Sequence, residues 1–281
     1  MCGVLYVVST PIGNLEDVTH RALRVLREVD VVCAEDTRVT RKLLSRYEIH
    51  TPLLSYHPNS AASRESEIVA RLVAGASVAL VSDAGTPGVS DPGERLVSAA
   101  HACGASVVPV PGPSAALAAL VVSGLPTGRF AFDGFPPRNR ADRRTFFEAL
   151  AAERRTIVLY EAPTRVRQTL EELLLALGDR RVAVGRELTK IHEEVFRGTL
   201  GEAVDRFGRG TARGEFTIVI EGIGLSAPAP PPPDAGEVTQ ALERELAAGA
   251  SVRDATDRVA ARLGLPRRTV YRACLALRRG A

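Results

Sequence analysis

Lysine is almost missing from this sequence: among 281 residues only Lys42 and Lys190 carry it. Neither follows a glycine in the Gly-x-x-x-x-Gly-Lys spacing that cradles a phosphate, so a P-loop is excluded. No Gly-x-Gly-x-x-Gly opens the first helix, which argues against a nicotinamide or flavin dinucleotide. Neither a Gly-x-Ser-x-Gly elbow nor a His-Glu-x-x-His helix occurs, and hydrolase chemistry loses its usual signatures. Cys2, Cys33, Cys103 and Cys274 lie far apart with no Cys-x-x-Cys spacing and no neighbouring His cluster. Neither a metal site nor a disulfide framework is expected, and idle thiols in a reducing compartment fit best. No run approaches ~18 uninterrupted apolar residues, and residues 1–8 have neither a basic segment nor enough apolar ones for a leader, so a cytoplasmic protein is expected.

What is present is a 45% hydrophobic chain with a net charge of +3, ample for buried cores and long enough for more than one globular unit. The basic excess is local: from Glu237 onward nine arginines face five acids. An acidic partner would therefore be met by a patch and not by the whole surface.

The first part alternates apolar runs at 4–8, 29–34, 78–81 and 107–110 with helix-period stretches at 17–28, 64–74 and 94–103. That alternation predicts an open, mostly parallel α/β sheet in a domain spanning 1–124. After a break at 124–128, strand patterns fall at 130–132, 156–159, 182–184, 195–197 and 216–220, with only two clear helical stretches among them. A second α/β domain with a mixed sheet is expected over 125–223. Residues 224–236 hold Pro228 and Pro230 to Pro233, a composition suited to an extended spacer. Beyond it, three short amphipathic patterns over 237–281 predict a small helical domain of helix-turn-helix type.

Three loops carry the chemical signal. Ser82-Asp83-Ala84-Gly85-Thr86-Pro87-Gly88-Val89-Ser90-Asp91-Pro92-Gly93 follows a strand and precedes a helix, and its length exceeds that of an ordinary connection. Pro111-Gly112-Pro113-Ser114-Ala115 leads a strand into a helix with Ser114 as the N-cap; a plain turn explains it equally well. Thr10-Pro11-Ile12-Gly13-Asn14 follows the first strand. All three sit at the carboxyl ends of strands in one sheet and would converge on a single ligand crevice.

Residues 5–15, Ala34-Glu35-Asp36-Thr37-Arg38 and the loop 82–93 resemble the ribosomal RNA small subunit methyltransferase I family, one of the tetrapyrrole methylases. Tyr160-Glu161-Ala162-Pro163, Gly185-Arg186-Glu187-Leu188-Thr189-Lys190 and Glu193-Glu194-Val195-Phe196-Arg197-Gly198 extend the resemblance over roughly 5–221. It implies S-adenosylmethionine folded between two α/β domains, commonly in a homodimer. Cofactor contacts would fall on Thr10, Pro11, Ile12, Asp83, Ala84, Gly85, Thr86, Pro87, Ser114, Ala115, Tyr160, Glu161 and Ala162. It also implies 2'-O-methylation of a decoding-region cytidine of 16S rRNA, in the assembled small ribosomal subunit.

A ribose hydroxyl is a poor nucleophile and gains from a base that takes its proton. Glu35, Asp36, Glu161 and His192 are the candidates, with Asp36 favoured; capping of the following helix explains Asp36 equally well. For RNA, Arg38 and Arg41 stand beside this site. Arg138, Arg140, Arg143 and Arg144 belong to a basic Pro-containing stretch, and Arg262, Arg267, Arg268, Arg272, Arg278 and Arg279 to the terminal helices. A corrinoid or diphthamide-type methylase is a rival reading, and so is a DNA-binding regulator that senses a small molecule. The rival methylases would not need a basic C-terminal unit, and a mere sensor has no evident need for the 34–38 and 193–198 segments, which favour the RNA enzyme.

Overall fold

Strand β2, Val31–Ala34, is Val-Val-Cys-Ala with every side chain buried. Because successive side chains point to opposite faces, Val31 and Cys33 enter one apolar cluster while Val32 and Ala34 enter another. A strand buried on both faces must lie inside a sheet covered by helices on both sides. The computed structural model describes residues 2–57, 61–208, 213–224, 235–247, 250–263, 265 and 267–279, except for the side chains at 61–63, 235–237, 247, 261, 262, 278 and 279. The chain divides into two compact units, Met1–Ser226 and Ala227–Ala281.

In the first unit β2 is flanked by β1 (Val4–Val8), β3 (Leu53–Ser55), β4 (Ser77–Val81) and β5 (Ser106–Val110) in a parallel sheet of order β3-β2-β4-β1-β5. Helices α1 (His20–Glu28) and α2 (Thr37–Arg46) supply Ala22, Val25, Leu26, Leu43 and Leu44 to one face. Helices α3 (Ala61–Val73) and α4 (Glu94–Ala102) supply Ile68, Leu72, Leu96 and Ala100 to the other. Burial pushes the Cys33 thiol up to about 12, which suits an inert core residue. The helix expected over 17–28 begins later: Leu15–Asp17 forms a 3-10 turn, and Thr19 caps α1 by accepting from the Ala22 N–H at 3.1 Å.

Helix α5, Ala115–Val122, has only apolar side chains. It lies on the second sheet, where Ala116, Ala119 and Leu120 pack with Val158, Ala183 and Val219. That sheet holds β6 (Phe130–Gly134), β7 (Thr156–Glu161), β8 (Arg181–Arg186), β9 (Glu194–Thr199) and β10 (Phe216–Ile220) in the order β6-β7-β10-β8-β9. Only β6 and β7 run parallel, so the sheet is mixed. Its other face is closed by α6 (Arg140–Leu150), α7 (Val166–Leu177) and α8 (Leu200–Phe207). Three helices stand where two were expected. Thr199 ends β9 and at once caps α8 in a reciprocal capping box with Glu202, which leaves no turn residues to mark the boundary.

The second unit is three helices, α9 (Ala235–Ala247), α10 (Val252–Leu263) and α11 (Arg267–Arg279), around Val238, Leu242, Ala255, Val259, Val270 and Cys274. Ser251 caps α10, accepting from the Asp254 N–H at 3.1 Å. Of the expected spacer, 225–234 lies outside the described residues, as do Gly264 and Pro266 between α10 and α11. Among the described residues no helix is long and apolar enough to cross a membrane, and no group of three His, Cys, Asp or Glu is placed to hold a metal ion.

Candidate active site

The strand order dictates where a crevice opens. β1 and β4 are neighbours, yet the chain leaves β1 toward one edge of the sheet and β4 toward the other, so their carboxyl ends are not covered by a crossover. The loops that follow are fastened to each other. Thr10 and Gly85 exchange backbone hydrogen bonds of 2.8 and 3.1 Å, the Thr10 hydroxyl donates to the Ser82 carbonyl at 3.1 Å, and the Ser9 and Thr86 hydroxyls lie 2.9 Å apart. Gly85 sits at φ +86°, in the left-handed region where a side chain is strained.

The opposite wall comes from the second sheet. Leu188 reaches it on the β8–β9 turn, where Glu187 and Thr189 have φ of 51° and 67°. That strained turn is over-determined: the Thr189 hydroxyl accepts from the Asn14 N–H at 3.1 Å, and Lys190 Nζ donates to Glu187 and Glu215 at 2.8 and 3.0 Å. Between the walls lies a cleft of about 470 Å³, of the size that takes a small organic ligand.

Of the residues expected at a cofactor, Ile12, Asp83, Ala84, Gly85, Thr86, Ser114, Ala115, Tyr160, Glu161 and Ala162 line this cleft, as does Glu35. Thr10, Pro11 and Pro87 are buried and do not line it; Thr10 acts as the fastening just described. Sequence reading missed Asp91, Phe135, Pro163, Leu188, Glu215, Phe216 and Thr217 as lining residues. Asp91 lay inside the longest quoted loop. Phe216 and Thr217 begin a strand, and the rule that ligands meet carboxyl ends overlooks an antiparallel strand entering the same site.

Three of the acidic residues that line the cleft are harder to ionise than usual. Burial raises Glu35, with Asp83, Asp91 and Asp36 adding repulsion. Burial also raises Asp83, although the Asp36 N–H donates to it at 2.9 Å. Asp91 is pushed up to about 6, by burial first and by Asp83 in addition, against a hydrogen bond from Ser82. The cleft thus favours a cationic ligand beside apolar walls.

Asp36 is not among the lining residues and is committed to the start of α2. Its carboxylate caps α2 by accepting from the Arg38 N–H at 2.8 Å and takes a fork from the Arg38 guanidinium at 2.6 to 3.1 Å. The Arg38 hydrogen bonds hold it down to about 2, so it has little appetite for a proton. Asp36→Asn is expected to keep kcat within about threefold, against the roughly 10²–10⁴-fold loss that follows removal of a general base. Steady-state methyl transfer measures the difference.

Glu161 is committed to an internal network. The Glu161 residue borders the cleft, but its carboxylate is fully buried and accepts from the Ala162 N–H at 2.7 Å, Arg165 Nη2 at 2.7 Å and the Thr169 hydroxyl. Arg143 stands 3.6 Å from it and also pairs with Glu172, so Arg143 is an internal residue and is withdrawn from the RNA contacts. Arg38, Arg41, Arg138, Arg140, Arg144, Arg267 and Arg268 are exposed, with Arg144 paired to Glu148 and Arg267 to Asp257. Exposed His192 is not among the lining residues. The side chains of Arg262, Arg278 and Arg279 lie outside the described residues.

Known proteins share this architecture. A family model described as Tetrapyrrole (Corrin/Porphyrin) Methylases matches residues 4–204, and one described as RsmI C-terminal HTH domain matches 232–278. The ribosomal RNA small subunit methyltransferase I of Synechocystis is 46% identical over 277 residues, 98% of each chain. That of Thermotoga maritima is 48% identical over 220 residues, 78% of this chain and 99% of its own. Uroporphyrin-III-C-methyltransferase from Thermus thermophilus has the same fold at a TM-score of 0.58 and 24% identity, covering 79% of this chain and 96% of that one. The chain belongs to the tetrapyrrole methylase family and, within it, to the ribosomal RNA small subunit methyltransferase I family.

Proposed function

We propose that this protein is an S-adenosylmethionine-dependent methyltransferase that methylates the ribose 2'-hydroxyl of a cytidine in the decoding region of 16S rRNA, within the assembled small subunit. The observation that carries the reading is the acid-lined, apolar-walled cleft at the switch point, in a chain whose relatives bear the rRNA methyltransferase name. The residues present fit the cofactor. Glu35, Asp83 and Asp91 offer negative charge to a sulfonium and an amine, and Ile12, Leu188 and Phe216 offer apolar surface to the nucleoside. Ser114 makes no side-chain cap at α5, and with the Ala116 N–H given to the Tyr160 hydroxyl, the Ala115 N–H at the start of the helix is the group offered to a carboxylate.

S-adenosylmethionine, when bound, supplies an electrophilic methyl carbon with a neutral thioether as leaving group. The protein has to align the ribose oxygen with that carbon, exclude water and accept the hydroxyl proton. We assign the proton to Asp91: its carboxylate borders the cleft, and the burial that raises it makes it a better base than an ordinary aspartate. Asp83 is partly committed to the Asp36 N–H, and Glu35 stands beside both as the second candidate.

Labelled methyl transfer to small ribosomal subunits lacking their own modifications, followed by nuclease mapping and nucleoside analysis, tests the reading. Label on a cytidine 2'-oxygen supports it; label on a base, or on free RNA alone, overturns that part. A homodimer belongs to the same proposal. Exposed Leu117, Val121 and Val122 on α5 offer an apolar face for a second copy, and light scattering at twice the chain mass is the expected result.

A further inference from the structure

The rim of the cleft holds an aromatic ring that the fold does not need. β6 loses register with β7 between Phe132 and Gly134, and Gly134 takes φ +63°. A side chain there would come within 2.9 Å of Ser90 Oγ on the facing loop, so the turn requires glycine. The turn ends the strand and carries Phe135 into the lining of the cleft, where it remains 51% exposed.

The ring is held from behind and open in front. Phe135 and Tyr160 have centroids 5.5 Å apart, Tyr160 meets Phe132 at 4.9 Å, and the Tyr160 hydroxyl accepts from the Ala116 N–H at 3.1 Å. The chain that follows is pinned as well: Arg165 donates to the Pro136 carbonyl at 3.1 Å and Arg143 to the Pro137 carbonyl at 3.4 Å. Just beyond, Arg138 and Arg140 are exposed, and neither has a carboxylate partner among the described residues. A fixed, half-exposed aromatic face flanked by uncommitted guanidinium groups is the arrangement that takes an unstacked base and its phosphates.

Resting on the rRNA reading above, we propose that Phe135 is the stacking surface for the base of the nucleotide being methylated, with Arg138 and Arg140 on the adjoining phosphates. A ribose inside a folded RNA reaches a cleft only if its nucleotide is drawn out of the stack, and the drawn-out base then needs a new π-face. Stacking on Phe135 supplies that face at the edge of the cleft that Asp91 also borders. The ring thus acts on positioning and on nucleotide choice, and takes no part in bond making.

The test compares the full-length protein with Phe135→Ala, Phe135→Leu and Phe135→Trp. The readouts are S-adenosylmethionine affinity by calorimetry and kcat/KM for methyl transfer to unmodified small ribosomal subunits. Alanine and leucine are both expected to lower kcat/KM by roughly 10- to 100-fold, the usual effect of losing one base–aromatic stack, while tryptophan restores most of it and cofactor affinity stays unchanged. Leucine fills the space against Tyr160 without a π-face, so wild-type activity in Phe135→Leu overturns stacking and leaves packing as the role. A parallel loss of cofactor affinity overturns it in favour of a cofactor contact. Absence of RNA methylation by the unsubstituted protein overturns the rRNA reading itself, which distinguishes that failure from the other two.

Discussion

Asp91→Asn is expected to lower kcat for methyl transfer by roughly 10²–10⁴-fold while leaving cofactor affinity within a few-fold. Asparagine keeps the volume and the ability to bond Ser82, so the change removes one proton acceptor and one of three negative charges offered to the cofactor, of which Glu35 and Asp83 remain. The pH dependence has a definite sign. Burial and Asp83 push Asp91 up to about 6 against the Ser82 hydrogen bond, and Asp91 in turn adds to the rise of Glu35 in the same cleft. A base must be ionised to act, so wild-type activity should fall as pH drops through about 6, with a slope of one proton, and the variant should lose that limb.

Stability moves the other way. A carboxyl group whose folded-state value exceeds its unfolded one penalises the fold at neutral pH, and the penalty fades as pH falls below about 6. Asp91→Asn should therefore raise Tm at pH 7.5, by ~2–4 °C for each kcal/mol recovered. Lost activity with raised stability marks a group strained for function. An unchanged kcat with a normal acid limb would falsify the assignment and transfer the role to Glu35, whose carboxyl is also raised by burial.

The sheets were legible because their strands are mostly apolar runs, as in Val4–Val8 and, with Thr217 as its one polar member, Phe216–Ile220. What was illegible had no local signature. β3 is only three residues, all half-buried, and α8 starts on the residue directly after β9. The loops of the first sheet that line the cleft were legible because each follows a strand end and is rich in Gly, Pro and Ser. The fate of each charge was not, since it depends on partners distant in sequence. Asp36 looks like a base until Arg38 and the α2 N-terminus claim it. Phe135 reads as part of the Pro-containing basic stretch that follows the strand at 130–132, and only the Gly134 turn places it in the lining of the cleft.

Arg143 and Arg144 show how far burial separates neighbours of the same type. Arg143 is 3% exposed, between Glu161, Glu172 and Thr169 with its guanidinium 5.0 Å from the Phe147 ring; Arg144 is exposed and pairs only with Glu148 one turn on. Removing one partner of a buried ion pair strands the other in a medium that cannot solvate it, at a cost of about 3–5 kcal/mol. Glu161→Ala should therefore lower the unfolding free energy by that amount, read as a fall in the urea midpoint at constant m, as should Arg143→Ala, whereas Arg144→Ala should stay within about 0.5 kcal/mol. Because Glu161 and Arg143 are neighbours in one network, the double variant should cost clearly less than the sum of the singles. Additive losses would mean that the two charges act separately. The consequence for function follows from geometry: Glu161 holds the Ala162 N–H beside the cleft, and Arg143 and Arg165 hold the Pro136 and Pro137 carbonyls behind Phe135. Loosening this network should weaken cofactor binding and RNA methylation together, while Arg144→Ala should alter neither cofactor affinity nor stability.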